Sequence, residues 1–143
     1  SRKEYYRELY QDVNNRSDAG YNTTITDYWG RSLSYQLVNA SDGGPSYTFS
    51  SIADDSDFAN ANGPMPLIVA VERPGGQLLV PSNSTAFEFN PWEMGSYDTR
   101  TAAFAPLKYI GSNSTNGTVP RNGHCMAGFD NAGFVMGTYC MMF

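Results

Sequence analysis

Phe87-Glu88-Phe89-Asn90-Pro91-Trp92-Glu93-Met94-Gly95 decides how the rest of the chain is read. Phe87 and Phe89 fall on one side and Glu88 on the other, the period-2 alternation of a strand. Pro91 ends the ladder because it has no N–H to donate, and it biases Asn90 away from helix. Gly95 then releases the chain. Glu88 and Glu93, on either side of a strand end, are residue types that serve general acid–base chemistry. The plainer reading makes Glu88 a solvated strand face and Glu93 a hydrogen-bonding partner of backbone at the turn, and that reading is preferred.

Outward from this strand, Leu67-Ile68-Val69-Ala70-Val71 is a continuous apolar run, which predicts a strand buried on both faces, as in a parallel sheet. Pro74-Gly75-Gly76 reads as a turn, and Leu78-Leu79-Val80 as a short edge strand stopped by Pro81. Residues 1–13 carry Tyr6, Leu9, Tyr10 and Val13 at helical spacing, which predicts an amphipathic helix with those four toward the core. Thr23 to Asp27 offers N-cap oxygens for a second helix running to about Val38, with Trp29, Leu33 and Leu37 as its buried stripe. Gly30 inside that helix marks a close approach by another element. Phe49 to Ala61 predicts a short helix capped by Ser50 or Ser51 and burying Ile52 and Phe58. Beyond Ser96, Phe104-Ala105-Pro106-Leu107 and Tyr109-Ile110-Gly111 read as apolar patches within loops. Helices alternating with strands place the chain in the α/β class.

The 143 residues suffice for one domain with a core. A net charge of −5 with singly scattered Lys and Arg excludes a phosphate-neutralising patch, so no nucleic-acid partner is expected. The longest apolar run, Leu67 to Val71, is far short of a membrane span. Asn15, Asn22, Asn39, Asn83, Asn113 and Asn116 each head an Asn-x-Ser/Thr acceptor. That density, with few charges, predicts a secreted or cell-surface glycoprotein whose N-linked glycans supply solubility. Cys125 and Cys140 either close one disulfide in an oxidising compartment, remain free, or pair outside this chain.

Several residues invite a chemical role. Gly30-Arg31-Ser32-Leu33-Ser34 begins like a nucleophile elbow, but it lacks the last glycine and lies inside a helix, so Ser32 is not taken as a nucleophile. Asp54, Asp55 and Asp57 do not fit a calcium loop, because alanine occupies position 59 and no distal glutamate follows; helix N-terminal charge explains them. His124, the only histidine, sits in a Gly/Asn loop and reads as a surface residue.

Four ordered stretches carry a resemblance. They are Asp27-Tyr28-Trp29-Gly30-Arg31-Ser32-Leu33-Ser34-Tyr35-Gln36-Leu37, Gly63-Pro64-Met65-Pro66-Leu67-Ile68-Val69-Ala70, Glu88-Phe89-Asn90-Pro91-Trp92-Glu93-Met94-Gly95, and Gly128-Phe129-Asp130-Asn131-Ala132-Gly133-Phe134-Val135-Met136-Gly137-Thr138. Together they resemble the fungal lysophospholipase (phospholipase B) family, related to the catalytic domain of cytosolic phospholipase A2. The resemblance implies a three-layer α/β/α, patatin-like domain of which residues 1–143 are the middle portion. It also implies hydrolysis of fatty acyl esters of (lyso)phospholipids by a Ser/Asp dyad, without metal or cofactor, and peripheral contact with a membrane surface.

The family's Gly-x-Ser-x-Gly elbow and glycine-rich loop precede such a segment and its aspartate follows it, so no residue here is assigned a catalytic role. Asp42, in Asp42-Gly43-Gly44-Pro45, comes too early to be that aspartate and reads as a turn residue. The resemblance includes a cysteine near Cys125 but not Cys140, and it ends at Thr138, where the family continues with serines and this chain with Tyr139-Cys140-Met141-Met142-Phe143. Taken alone, such a segment is expected to expose apolar surface around Leu67–Val71 and Phe87–Phe89. The alternatives are a non-enzymatic secreted glycoprotein descended from that family, with a binding or cell-surface structural role, and, last, a carbohydrate-binding module.

Overall fold

The computed structural model describes residues 2–73, 75–113, 118, 121 and 125–140, with the backbone alone at 139 and 140. By contact these residues group into two compact units, one from 2–47 with 131–140 and one within Thr48–Asp130. Helices and a four-stranded sheet are both present, as the α/β class requires.

The first unit is helical. It contains α1 (Arg2–Asp18), α2 (Ile25–Leu37), a 3₁₀ turn at Ser41–Gly43 and a C-terminal helix at Ala132–Cys140, here α4. Helix α1 runs about a turn further than its periodicity predicts and ends at Gly20, whose φ is +92°. Val13 is buried as expected, but Tyr6 and Tyr10 are exposed. The inward face is rotated by a residue, to Tyr5, Leu9, Asp12, Val13 and Arg16. That rotation lets the Tyr5 ring meet Tyr35, 4.9 Å away, and lets two charged side chains reach partners on α2.

Helix α2 starts where its cap residues predict. The hydroxyl oxygen of Thr24 accepts from the Thr26 N–H, and the Asp27 carboxylate accepts from the Thr24 N–H at 2.8 Å. Its buried stripe is not Trp29, Leu33 and Leu37. Trp29 and Leu37 are exposed and Leu33 is half-buried, while Gly30, Arg31 and Ser34 are buried. The reason is the neighbour: α4 packs its own glycines against Gly30, and a close backbone approach selects small residues over large ones.

The second unit holds the sheet, a meander β1 (Ile68–Val71), β2 (Ala86–Phe89), β3 (Glu93–Ser96), β4 (Ala103–Pro106), in spatial order β1-β2-β3-β4. Every pair is antiparallel. The expected parallel, doubly buried strand is therefore corrected: β1 alternates half-buried and exposed residues. Leu67, Val69 and Val71 are 50, 38 and 40% exposed, whereas Phe87 and Phe89 are half-buried. Both faces of the run are apolar, so its period could not show in the sequence. The three residues joining β2 to β3 are too few for a parallel crossover.

The opening stretch is thus a hairpin. The Asn90 side chain accepts from the N–H groups of Trp92 and Glu93 at 2.9 and 3.0 Å, an Asx turn around buried Pro91. Gly95 does not release the chain. It sits inside β3, where a β-carbon would lie 2.3 Å from the Ala103 carbonyl oxygen. Leu78-Leu79-Val80 is a bend rather than a strand, with Leu78 94% exposed. Phe104–Pro106 belongs to β4, and Leu107, in a 3₁₀ turn at Leu107–Tyr109, is buried at 1% exposure.

Phe49 to Ala61 splits into a 3₁₀ turn (Ser50–Asp54) and α3 (Ser56–Ala59). Asp55, not Ser50 or Ser51, caps α3 by accepting from the N–H groups of Asp57 and Phe58. Ile52 and Phe58 are half-buried, and Phe49 is the buried member of the segment.

Candidate functional site

The helical unit contains a cleft of about 200 Å³. It is bordered by Asp12 and Arg16 of α1, Asp27 and Arg31 of α2, and Asn131 and Gly133 at the start of α4. Two ion pairs shape it. Arg16 Nη1 donates to Asp27 Oδ1 at 3.1 Å, and Arg31 Nε donates to Asp12 Oδ2 at 2.6 Å. Asp27 is held ready by its role in the α2 cap. Burial pulls the Arg16 guanidinium below its ordinary pKa, with the charges of Asp27 and Tyr21 acting in the opposite direction.

Arg31 is 6% exposed, rare for arginine, and most of its donors are used. Nη1 donates to Ser34 Oγ at 3.2 Å and to the Asp42 carbonyl, and the guanidinium carbon lies 5.7 Å from the Tyr35 ring centroid. The Asp42 carbonyl is delivered by a left-handed turn, with φ values of 54°, 74° and 70° at Asp42, Gly43 and Gly44. A β-carbon at Gly43 would lie 2.2 Å from the Tyr35 Cα, so glycine lets this turn sit on α2. Asp42 is a turn residue, as expected.

Helix α4 is capped by Asn131, whose side chain accepts from the Phe134 N–H and whose carbonyl accepts from the Val135 N–H. The N–H groups of Ala132 and Gly133 have no acceptor among the described residues. The arrangement can bind a small polar group. The two serines of α2 are not paired with a base among the described residues: Ser32 Oγ is hydrogen-bonded to the Tyr5 hydroxyl and Ser34 Oγ donates to the Arg31 carbonyl.

The other residues singled out in the sequence do not gather. Glu88 and Glu93 lie on neighbouring strands and make no side-chain hydrogen bond among the described residues. Asp55 is spent as a helix cap. Asn15, Asn22, Asn39, Asn83 and Asn113 are all exposed, Asn15 within α1 and the others outside regular elements. Cys125 is exposed with its thiol free. Asn116, His124 and the side chain of Cys140 lie outside the described residues.

Sequence reasoning missed Arg31 and Asp130. Asp130 is 1% exposed; its Oδ2 accepts from the Ser50 N–H and its carbonyl from the Phe49 N–H, both at 2.8 Å, while Oδ1 is buried without a partner. A signal for Arg31 was present in the spacing Gly30-xxx-Ser34 and Gly133-xxx-Gly137, small residues that bring two helices close and bury whatever lies between.

The family model described as lysophospholipase catalytic domain matches residues 1–143. Lysophospholipase 1 of Aspergillus fumigatus is 56% identical over 139 residues, which cover 97% of this chain and 22% of that protein. Lysophospholipase 3 of the same species is 52% identical over 145 residues, covering all of this chain and 23% of the relative. Probable lysophospholipase 3 of Schizosaccharomyces pombe is 44% identical over 139 residues, covering 97% of this chain and 21% of the relative. The chain thus spans about a fifth of the length of the curated relatives it matches. No solved structure matches the chain.

Proposed function

The chain belongs to the lysophospholipase catalytic-domain family, and on that premise we propose that it is a scaffold portion of an enzyme hydrolysing fatty acyl esters of lysophospholipids and phospholipids. The observation that carries this reading is the match of the whole chain to proteins named lysophospholipases at 44–56% identity. The chemistry is acyl transfer to a serine activated by an aspartate, followed by hydrolysis of the acyl-enzyme. Both residues lie outside positions 1–143, in the remainder of a three-layer α/β/α catalytic domain. The absence of Gly-x-Ser-x-Gly from the sequence and of an activated serine from the described residues agrees with that placement. The protein is secreted or held at the cell surface, carries N-linked glycans, and meets its lipid substrate peripherally. The exposed positions of five sequon asparagines support the glycan part of the reading.

The test uses the intact protein with lysophosphatidylcholine as substrate, together with a fluorophosphonate probe that labels activated serines. Release of fatty acid, and a labelled serine mapping outside these residues, is the expected result. A labelled serine within residues 1–143 refutes the scaffold assignment. Folded intact protein that releases no fatty acid favours the non-enzymatic glycoprotein instead.

A further inference from the structure

On the reading of this protein as a secreted glycoprotein, we propose that Asn83 accepts its glycan only before the β1–β2 connection folds, because folding buries the recognition threonine of its sequon beneath Arg100. Asn83-Ser84-Thr85 acts as one unit: a transferase must reach both the asparagine amide and the hydroxyl two residues on. Folding treats the two ends oppositely. Asn83 is exposed, whereas Thr85 is 4% exposed.

Thr85 is held from both sides. Its carbonyl accepts from the Glu72 N–H at 2.9 Å, extending the β1–β2 ladder beyond the Val71–Ala86 pair. Its Oγ1 accepts from Arg100 Nη2 at 3.2 Å, and the same nitrogen donates to the Asn83 carbonyl at 2.6 Å. Arg100 is fixed in turn by Asp98, whose Oδ1 accepts from the Arg100 Nε at 3.0 Å and from its backbone N–H at 2.9 Å. Reaching the Thr85 hydroxyl therefore means displacing Arg100 and lifting the start of β2 from β1. The other sequons differ. Ser17, Thr24 and Ser41, the hydroxyl residues that follow Asn15, Asn22 and Asn39, are all exposed. Asn39-Ala40-Ser41 keeps both ends exposed, with neither side chain hydrogen-bonded among the described residues, and serves as the internal comparison.

The transfer forms a bond between the Asn83 amide nitrogen and the anomeric carbon of the oligosaccharide. It breaks that carbon's bond to a polyprenyl pyrophosphate, the leaving group, and the amide proton passes to a base on the transferase. None of this needs a group from the folded protein. Arg100 follows Asn83 by 17 residues, so the site stays open while β2 and β3 are made and closes when the turn at Asp98 and Arg100 docks.

Transfer in vitro tests this. Intact protein made without glycans and folded is given purified oligosaccharyltransferase and a lipid-linked oligosaccharide, with an unstructured peptide of residues 79–89 as control. Peptide mapping reads each site. The peptide and Asn39 of the folded protein should be modified, and Asn83 of the folded protein about tenfold less, because transfer there waits on local opening. Arg100→Ala, with Arg100→Lys as its substitute if alanine disturbs the circular dichroism spectrum, should raise transfer to Asn83 several-fold and leave Asn39 unchanged. Folded protein modified at Asn83 as readily as at Asn39 overturns the proposal. Refusal by the peptide makes sequence rather than fold the cause, and refusal at Asn39 as well makes folding at large the cause; either overturns it. A folded Arg100 variant that still refuses transfer at Asn83 overturns the part given to Arg100. The assay is independent of where the protein travels: one that never enters the secretory pathway lacks glycans at both sites in cells yet gives the same pattern in vitro.

Discussion

Gly30 and Gly137 meet backbone to backbone. A β-carbon at position 30 would lie 2.7 Å from the Gly137 nitrogen and 2.2 Å from the Gly133 carbonyl oxygen, and neither atom can rotate away. This contact sets the distance between α2 and α4 and so the width of the cleft they border. It predicts that Gly30→Ala destabilises the protein. Alanine gains about 1 kcal/mol in helix propensity, but overpacking against a rigid backbone costs about 1–3 kcal/mol or more. Gly137→Ala should cost less, since its new contact is 3.3 Å from the Thr26 carbonyl. Urea midpoints of the two variants check the order; a Gly30→Ala protein as stable as the parent would refute the contact.

Arg31→Met should cost about 2–4 kcal/mol, because it abandons Asp12, Ser34 Oγ and the Asp42 carbonyl together. Asp12→Asn should cost less, since the Asp12 side chain is 36% exposed and water can replace its partner. Denaturation of both variants at neutral pH measures the difference, and equal costs would count against a buried role for the arginine.

In the sheet unit, Asp98 and Arg100 tie the turn before β4 to the end of the β1–β2 connection. Arg100 Nη2 donates to the Asn83 carbonyl at 2.6 Å and to Asp98 Oδ2 at 2.9 Å. The Arg100 side chain, with its backbone N–H, lowers the Asp98 pKa from 3.8 to about 2. A folded-state pKa below the unfolded one means stabilisation that is complete above the unfolded value and lost as pH falls through the folded one. The turn should therefore hold at pH 5 and loosen as pH falls from about 3.8 toward about 2. A falling protection factor against amide exchange at Thr101 and Ala102 over that window is the readout, and Asp98→Asn should abolish the pH dependence of that factor. Protection factors that fail to change between those limits would contradict the clamp.

Leu107→Ala should destabilise by about 2–5 kcal/mol, since the residue is 1% exposed, in the turn after β4 whose N–H donates to the Trp92 carbonyl. Leu78→Ser, at a residue 94% exposed, should change stability by no more than about 0.5 kcal/mol. Thermal melts of the pair test whether apolar character or burial matters at each position.

Glycan occupancy is expected at Asn22, Asn39, Asn83 and Asn113, which are exposed outside regular elements, and not at Asn15, whose carbonyl accepts from the Ala19 N–H at the end of α1. Peptide mapping after enzymatic deglycosylation in heavy-oxygen water reads each site. An occupied Asn15 would place a sugar at the mouth of the cleft.

What could be read from the sequence was whatever local chemistry dictates. Thr24 and Asp27 announce a helix start, Asn90-Pro91 a chain reversal, Asp42-Gly43-Gly44 a left-handed turn, and Gly30 a close neighbour. What could not be read depends on which surface a residue meets. Val69 and Val71 are as apolar as Ile68, so nothing in β1 told its exposed face from its half-buried one. Helix α4 combines Gly133, Gly137 and β-branched residues, poor helix formers that owe their conformation to packing against α2. Strand β4 follows Ala102 at φ 38° and lacks β-branched residues, so neither its start nor its composition marked it. Arg31 is a charge on an inward face, contrary to the usual rule of amphipathic helices, and it became legible only through the partners that surround it.

The meander and the helical unit place different demands on a growing chain. Each strand of the sheet pairs with its sequence neighbour, so every closure is local and costs less entropy than a distant one. The α2–α4 contact instead joins positions about a hundred residues apart, on either side of the whole sheet unit. During synthesis the hairpins can form as they emerge, whereas α2 must wait with Gly30 and Arg31 uncovered until Gly133 and Gly137 have been made. By sequence separation alone, the helical unit is expected to close after the hairpins of the sheet.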